Sequence, residues 1–310
     1  FVNSYLWQRD FLLLGRSDAV AAVSQPGTEE NLLYGVVAKV AERPYDDGAG
    51  GSYNAQTVTV FATDGNVYDY LFDGKYLDTG DVVRVETTGS GVKLHTLNYA
   101  KISGRVDNTG TKLGSYPLAD DIEIIDYYKD CTPIRVYPSR LAGVNLTKEM
   151  IRFCAFNAEG EITHMILNDV TGDLHQYGLL RNVSELSLPG VISATYMYDV
   201  GGQTMAFTSD DTIYNLEFGP CQVKMEGPQT VERLYNLTEV KVQSILDGKV
   251  IGPQERKYTI SDHVAVYVQN ENLDYTLTTL ARVQEDEYVF TAWCDKPESE
   301  GGRIRVIIAR

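Results

Sequence analysis

The segment Tyr116–Tyr127, YPLADDIEIIDY, has a counterpart 142 residues later in Tyr258–Gln269, YTISDHVAVYVQ. Tyr34-Gly35-Val36-Val37 matches Tyr177-Gly178-Leu179-Leu180 at an offset of 143, and Ile162–Leu167 matches Ile304–Ala309 at 142. Between these anchors, Gln56-Thr57 and Tyr68 align with Gln203-Thr204 and Tyr214. Val83-Arg84-Val85 and Gly91-Val92 align with Val240-Lys241-Val242, Gly248 and Val250. Phe153, Ala155 and Phe156 align with Phe290, Ala292 and Trp293. Matches in one order along both halves read as an internal duplication. The chain is thereby confined to folds that can be built twice from about 140 residues each. A unit of that size buries roughly two-thirds of its unfolded surface and folds without a metal or disulfide staple.

The repeated unit is predicted to be mostly β. Period-two alternation recurs in Thr57–Ala62, Val83–Glu86 and His263–Val268. Asp64-Gly65-Asn66, Asp73-Gly74, Gly89-Ser90-Gly91 and Asp247-Gly248 punctuate these runs with residues that suit tight hairpin turns. The best helical stretch, Ser139–Met150, is weakened to a turn or two by Gly143, Val144 and Thr147. The expected layout is a first repeat over 33–170 and a second over 171–310. Each has a small β-barrel-like module, 33–106 and 177–252, followed by a strand-plus-hairpin β module, 113–168 and 258–310. Residues 1–32 read as a hairpin, Phe11–Val23 with a turn at Gly15–Asp18, the expected tail of a preceding repeat. The chain opens on Phe1 rather than Met and is expected to be a piece of a longer protein.

Chemistry is harder to find. With 27 Lys and Arg against 43 Asp and Glu, the net charge of −16 repels nucleic-acid phosphate and anionic membrane surfaces. No apolar run approaches the ~20 residues of a membrane-spanning helix. Cys131, Cys154, Cys221 and Cys294 are too widely spaced for a zinc or redox motif and read as buried thiols. His95, His164, His175 and His263 show no metal-ligand spacing. No nucleophile elbow, P-loop or dinucleotide fingerprint is present; the glycine-rich Gly48-Ala49-Gly50-Gly51 precedes a strand and reads as a hairpin loop. Asp120-Asp121, Asp169 with Asp173, and Asp210-Asp211 are the residues that could bind calcium, but turn chemistry accounts for each pair. Tyr127-Tyr128, Tyr137, Tyr196 and Tyr198 could form a sugar platform, yet alternation turns neighbours to opposite faces and favours packing roles. The reading therefore assigns no catalytic, cofactor-binding or metal-ligating residue and no cofactor.

Several stretches carry a resemblance: Asp10–Leu14, Val20–Val23, Tyr34–Val37, Val58–Gly65, Gly80–Val83 and above all Ile162–Tyr177. They resemble the long β-rich regions of cell-surface proteins that carry S-layer homology modules in gut Firmicutes. The resemblance implies an extracellular location, at the cell surface or in the cell wall, with anchoring supplied by modules outside these residues. It implies a non-enzymatic structural spacer or adhesion and interaction module, with cell-envelope polymers or other surface proteins as partners. Neither nucleic acid nor membrane insertion of this stretch is expected, and oligomeric state and cysteine pairing stay open. The rival expectation is an extracellular glycan-binding or glycan-active protein with a site at a module interface; acids or aromatics converging in one cleft would favour it.

Overall fold

The computed structural model describes residues 33–310, except residues 47, 73, 89, 90 and 286. The hairpin expected within 1–32 lies outside the described residues. The fold is mostly β, as the alternation and turn residues predicted. Ser139–Met150 holds only two single turns of 3₁₀ helix, Pro138–Leu141 and Lys148–Met150. Among the described residues, no helix is long and apolar enough to cross a membrane. The chain divides into two compact units, one ending at Asp169 and the other running from Val170 to Arg310, with 143–145 grouped with the second.

The first unit opens with a curled five-stranded sheet. Its strands are β1 (Leu33–Asp46), β2 (Ser52–Ala62), β3 (Val67–Phe72), β4 (Val82–Thr88) and β5 (Gly91–Thr96), in the order β3-β2-β1-β4-β5. The edge strands β3 and β5 approach one another, so the sheet is a partly open barrel. One turn and one close backbone approach shape it. Asp64 accepts from the Asn66 amide (2.8 Å) and from the Tyr68 hydroxyl (2.7 Å), which fixes the β2–β3 turn where Gly65 takes φ +88°. β1 crosses from one partner to the other at Gly35, where a Cβ would stand 2.5 Å from the Phe61 carbonyl oxygen.

A second sheet follows, built on β6 (Tyr116–Tyr127) and the hairpin of β7 (Ile151–Phe156) and β8 (Ile162–Asn168). β8 lies between its antiparallel partner β7 and β6, to which it is parallel. Where β1 and β4 are buried on both faces, at Tyr34–Val37 and Val82-Val83, they read as short apolar runs, and β4 alternates beyond that point. Val37 and Val83 point into the barrel core with Val58, Val60, Phe72 and Val85. Their neighbours Val36 and Val82 pack on the other side against Ile125, Tyr127 and Ile166 of the second sheet. Tyr127 reaches back across that contact and donates to the Gly80 carbonyl at 3.0 Å.

The second unit has the same strand order in its curled sheet. β9 (Gln176–Leu188), β10 (Val191–Val200), β11 (Gln203–Ser209), β12 (Gly219–Met225) and β13 (Val231–Asn236) form a curled sheet in the order β11-β10-β9-β12-β13. Its second sheet contains β14 (Lys257–Gln269), β15 (Phe290–Cys294) and β16 (Ile304–Ala309), with β16 again between its antiparallel and parallel partners. Even the irregularities agree. β1 is bulged between Val37 and Lys39, and β9 between Leu180 and Asn182. In the parallel pairs, Ile162↔Leu118 and His164↔Glu123 correspond to Ile304↔Ile260 and Val306↔Ala265, each residue shifted by 142.

Three of the sequence matches need correction. The strand equivalent to β4 is β12, because both pair with the Tyr-Gly strand in the same register; Val83–Val85 therefore does not match Val240–Val242. Gln203-Thr204 begins β11, the counterpart of β3 rather than of β2. Phe153 is opposite Ile166 as Thr291 is opposite Ile308, so the closing hairpins align one residue away from the expected match. One boundary also moves. The barrel expected over 177–252 ends at Asn236, and the short strands Thr238–Lys241, Ser244–Leu246 and Lys249–Ile251 join the second sheet. Asp247 and Gly248, at φ +49° and +69°, make the two-residue turn of the last pair.

Candidate functional site

In the second unit the buried charges converge on Arg305. The β16 ladder skips this residue, since Cys294 pairs with Ile304 and Trp293 with Val306. Such a bulge re-aims a side chain that alternation would otherwise place. Arg305 is 2% exposed. Its Nε donates to Asp295 Oδ2 at 2.9 Å, and Nη1 donates to Asp173 Oδ1 at 2.5 Å and to Ser261 Oγ at 3.0 Å. Nη2 donates to the Thr171 carbonyl at 2.5 Å. The guanidinium lies 4.6 Å from the centre of the Tyr177 ring, which adds a cation–π contact. The Tyr177 hydroxyl stands 2.8 Å from the Gly172 carbonyl and 3.1 Å from Asp295 Oδ2, and it accepts from Gln222 Nε2 at 3.2 Å. Asp295 Oδ1 receives the backbone amides of Lys296 and Arg303.

The cage leaves no room at its centre. Gly172 has φ +71°, and a Cβ there would stand 2.6 Å from Asp295 Oδ2 and 2.9 Å from both Arg305 Nη2 and the Tyr177 hydroxyl. Burial pushes the Tyr177 phenol well above its ordinary value, partly offset by the Arg305 charge. The Arg305 guanidinium is held charged: burial opposes the charge, but Tyr177, Asp295 and Asp173 outweigh it. A filled cage of this kind joins six chain segments. Its groups face one another; Arg305 and Asp295 are 2% exposed, and Asp173 at 23% is reached by water.

The first unit fills the corresponding place differently. Thr163 is its skipped residue, and the tyrosine on the entering strand, Tyr34, packs on Phe153 and His164 with ring centres 4.9 and 4.8 Å apart. His164 Nε2 lies 3.5 Å from Glu123 Oε2, which also accepts the Thr63 hydroxyl at 2.7 Å. Burial lowers the His164 pKa from 6.5 against the raising influence of Glu123 and Asp121. Hydroxyl, imidazole and carboxylate thus meet: His164 Nδ1 lies 2.9 Å from the Thr163 hydroxyl, which also reaches the Ala155 carbonyl at 3.4 Å. Thr63 gives its proton to the carboxylate, not to the imidazole, and is itself fully buried.

The remaining residues singled out in the sequence are dispersed. Asp120 and Asp121 are exposed on β6, Asp169 sits at φ +53° in a turn, and Asp211 accepts from the Thr212 hydroxyl. Asp173 belongs to the Arg305 cage. Among the described residues, no group of three or more His, Cys, Asp or Glu side chains is placed to hold a metal ion. His95 bonds Glu86 at 2.9 Å, His175 Nδ1 accepts the Met225 amide, and His263 is exposed. Cys131 and Cys221 are buried, Cys154 and Cys294 half-buried, and none of the four is in a disulfide. Tyr127, Tyr196 and Tyr198 pack in cores, whereas Tyr137 is exposed with Arg135 stacked against it. Gly48–Gly51 falls in the β1–β2 hairpin loop.

Sequence reasoning missed Arg305 and its partners. The available signal was a lone cation in the otherwise apolar run Ile304–Ala309. A buried charge requires partners, but nothing in the sequence says which of the distant acids they are. No protein-family model matches this chain, and neither a curated protein nor a solved structure matches it.

Proposed function

We propose that this chain is a non-enzymatic part of a bacterial cell-surface protein, a duplicated β region that serves as a structural spacer and interaction module outside the cell. The observation that carries the reading is the Arg305 cage. Its buried charges and hydrogen bonds tie the second unit's barrel sheet, through Tyr177 and Gln222, to its second sheet, through Ser261, Asp295 and Arg305. That arrangement suits load-bearing better than turnover, because every polar group already has a protein partner in the cage. The shared strand order and the common 142-residue offset of the parallel pairs support duplication of one unit. The surface location rests on the resemblance in sequence, and cell-envelope polymers or other surface proteins are its partners.

The reading is tested by pulling the chain from its two ends in a single-molecule instrument. Two separate unfolding events are expected, each releasing roughly 45–50 nm of chain. A screen of glycans, peptides and esters with the same protein supplies the contrary outcome. Turnover abolished by one Asp, Glu or His substitution in a folded protein overturns the non-enzymatic reading. Antibody labelling of intact cells that make the full-length protein tests location; labelling only after permeabilisation refutes it.

A further inference from the structure

The second unit's barrel presents a largely uncharged face, on which Asp199 is paired with Arg181 at 2.6 Å. The outward residues of β9, β10 and β11 are Asn182, Ser184, Leu186 and Leu188, then Val191, Ser193, Thr195, Met197 and Asp199, then Thr204, Ala206 and Thr208, as set by the ladder pairs and by the burial of Ala194, Tyr196 and Tyr198 on the opposite side. In a chain of net charge −16, a face whose Asp199 is already paired with Arg181 lets two copies approach with little like-charge repulsion. The face ends at β11, an edge strand. Gln203–Ala206 and Thr208 are exposed, and QTMAFTS contains neither charge nor proline. Edges are normally blunted by such residues. The equivalent edge β3 carries Asp69, and the opposite edges β5 and β13 carry Lys93, and Glu232 with Arg233.

We propose that β11 pairs with β11 of a second copy of this chain, antiparallel about a two-fold axis at Ala206, to make one continuous sheet across both molecules. The strand is self-complementary in that register. Thr204 falls opposite the second copy's Thr208, repeating the Thr195–Thr208 hydroxyl contact of 2.9 Å already present inside the sheet. Met205 falls opposite Phe207, a sulfur–aromatic pair, and Ala206 meets itself without a clash. The contact is isologous and closes as a dimer. It does not depend on the spacer reading: a spacer can be monomeric and an enzyme can dimerise.

The test is analytical ultracentrifugation of the whole chain over a wide concentration range. A reversible dimer is expected. Ala206→Lys places like charges directly opposite each other and should raise the dissociation constant at least about tenfold. Its fold is checked by circular dichroism and Trp293 emission. Thr195→Lys adds the same charge to the same face on the neighbouring strand and should leave the dimer intact. Ala206→Cys should give a covalent dimer on oxidation, since directly opposed strand residues fall within disulfide range, and Thr204→Cys should not. A wild-type chain that stays monomeric at high micromolar concentration overturns the proposal. So does a dimer broken by Thr195→Lys but not by Ala206→Lys, which would indicate face-to-face stacking.

Discussion

Replacing Arg305 with methionine isolates what its cage contributes. The substitution keeps much of the side-chain volume and removes the charge. It leaves Asp295, whose side chain is 2% exposed, without its cation, and Asp173, whose side chain is 23% exposed, partly so. Breaking a buried ion pair from one side typically costs about 3–5 kcal/mol. Most of that belongs to Asp295, since water still reaches Asp173. For a unit of this size each kcal/mol lowers the melting temperature by about 2–4 °C, so a fall of roughly 6–20 °C is expected. Trp293 is 9% exposed beside Val306 and Ile308, so its emission follows the second unit through a urea titration. The decisive comparison is Arg305→Met with Asp295→Asn in the same chain. The asparagine oxygen can keep the Lys296 and Arg303 amides while the stranded charge disappears. The double variant should therefore recover about 1–3 kcal/mol relative to Arg305→Met alone. If Arg305→Met costs under about 1 kcal/mol, or if the two losses simply add, the cage is not a buried charge network of the kind described.

Other outcomes follow from the same geometry. Ile166→Asp buries an unpaired charge among Val36, Val82, Ile125 and Tyr127 and should cost more than about 4 kcal/mol, whereas Asp120→Ala on the exposed side of β6 should change the urea midpoint little. Gly172→Ala should destabilise the second unit by about 1–3 kcal/mol, read by thermal melting, because φ is positive and the added methyl meets Asp295, Arg305 and Tyr177. The folded protein binds a proton at His164 more weakly than the unfolded chain does. Its contribution is therefore present above pH 6.5 and is lost as pH falls from there through the lowered folded value; His164→Gln should flatten that part of a urea-midpoint profile. Burial pushes the Cys154 thiol up to about 11 and the Cys221 thiol up to about 12, so neither should react with iodoacetamide at pH 8 until the protein is unfolded.

Much of the fold was legible where a residue has a single structural use. The Tyr-Gly pair recurs at 34–35 and 177–178 because both glycines sit where the long strand crosses a neighbour's carbonyl and no Cβ fits. The parallel pair kept its 142-residue offset because Met165–Leu167 and all of Ile304–Ala309 are buried on both faces, which fixes register. Barrel strands lack such constraints. Val83-Arg84-Val85 and Val240-Lys241-Val242 share an alternation that any half-buried strand can show, and the likeness misled. The cage was illegible for a different reason. Thr171, Asp173, Ser261, Asp295 and Arg305 are brought together by the closing of two sheets and by a bulge, neither of which leaves a spacing in the sequence.

The position of β8 and β16 also governs the order in which the units can be completed. Each is the last strand of its unit to be synthesised, yet each sits in the interior of its sheet, between a parallel and an antiparallel neighbour. The five barrel strands are finished earlier and pair largely with sequence neighbours. A growing chain can therefore assemble each barrel while β6 or β14 still waits with one edge bare. The second sheet closes only when the final strand has left the ribosome and inserted into that gap. Until then, the long strand is open to capture by any unpaired edge nearby, including one from another nascent chain.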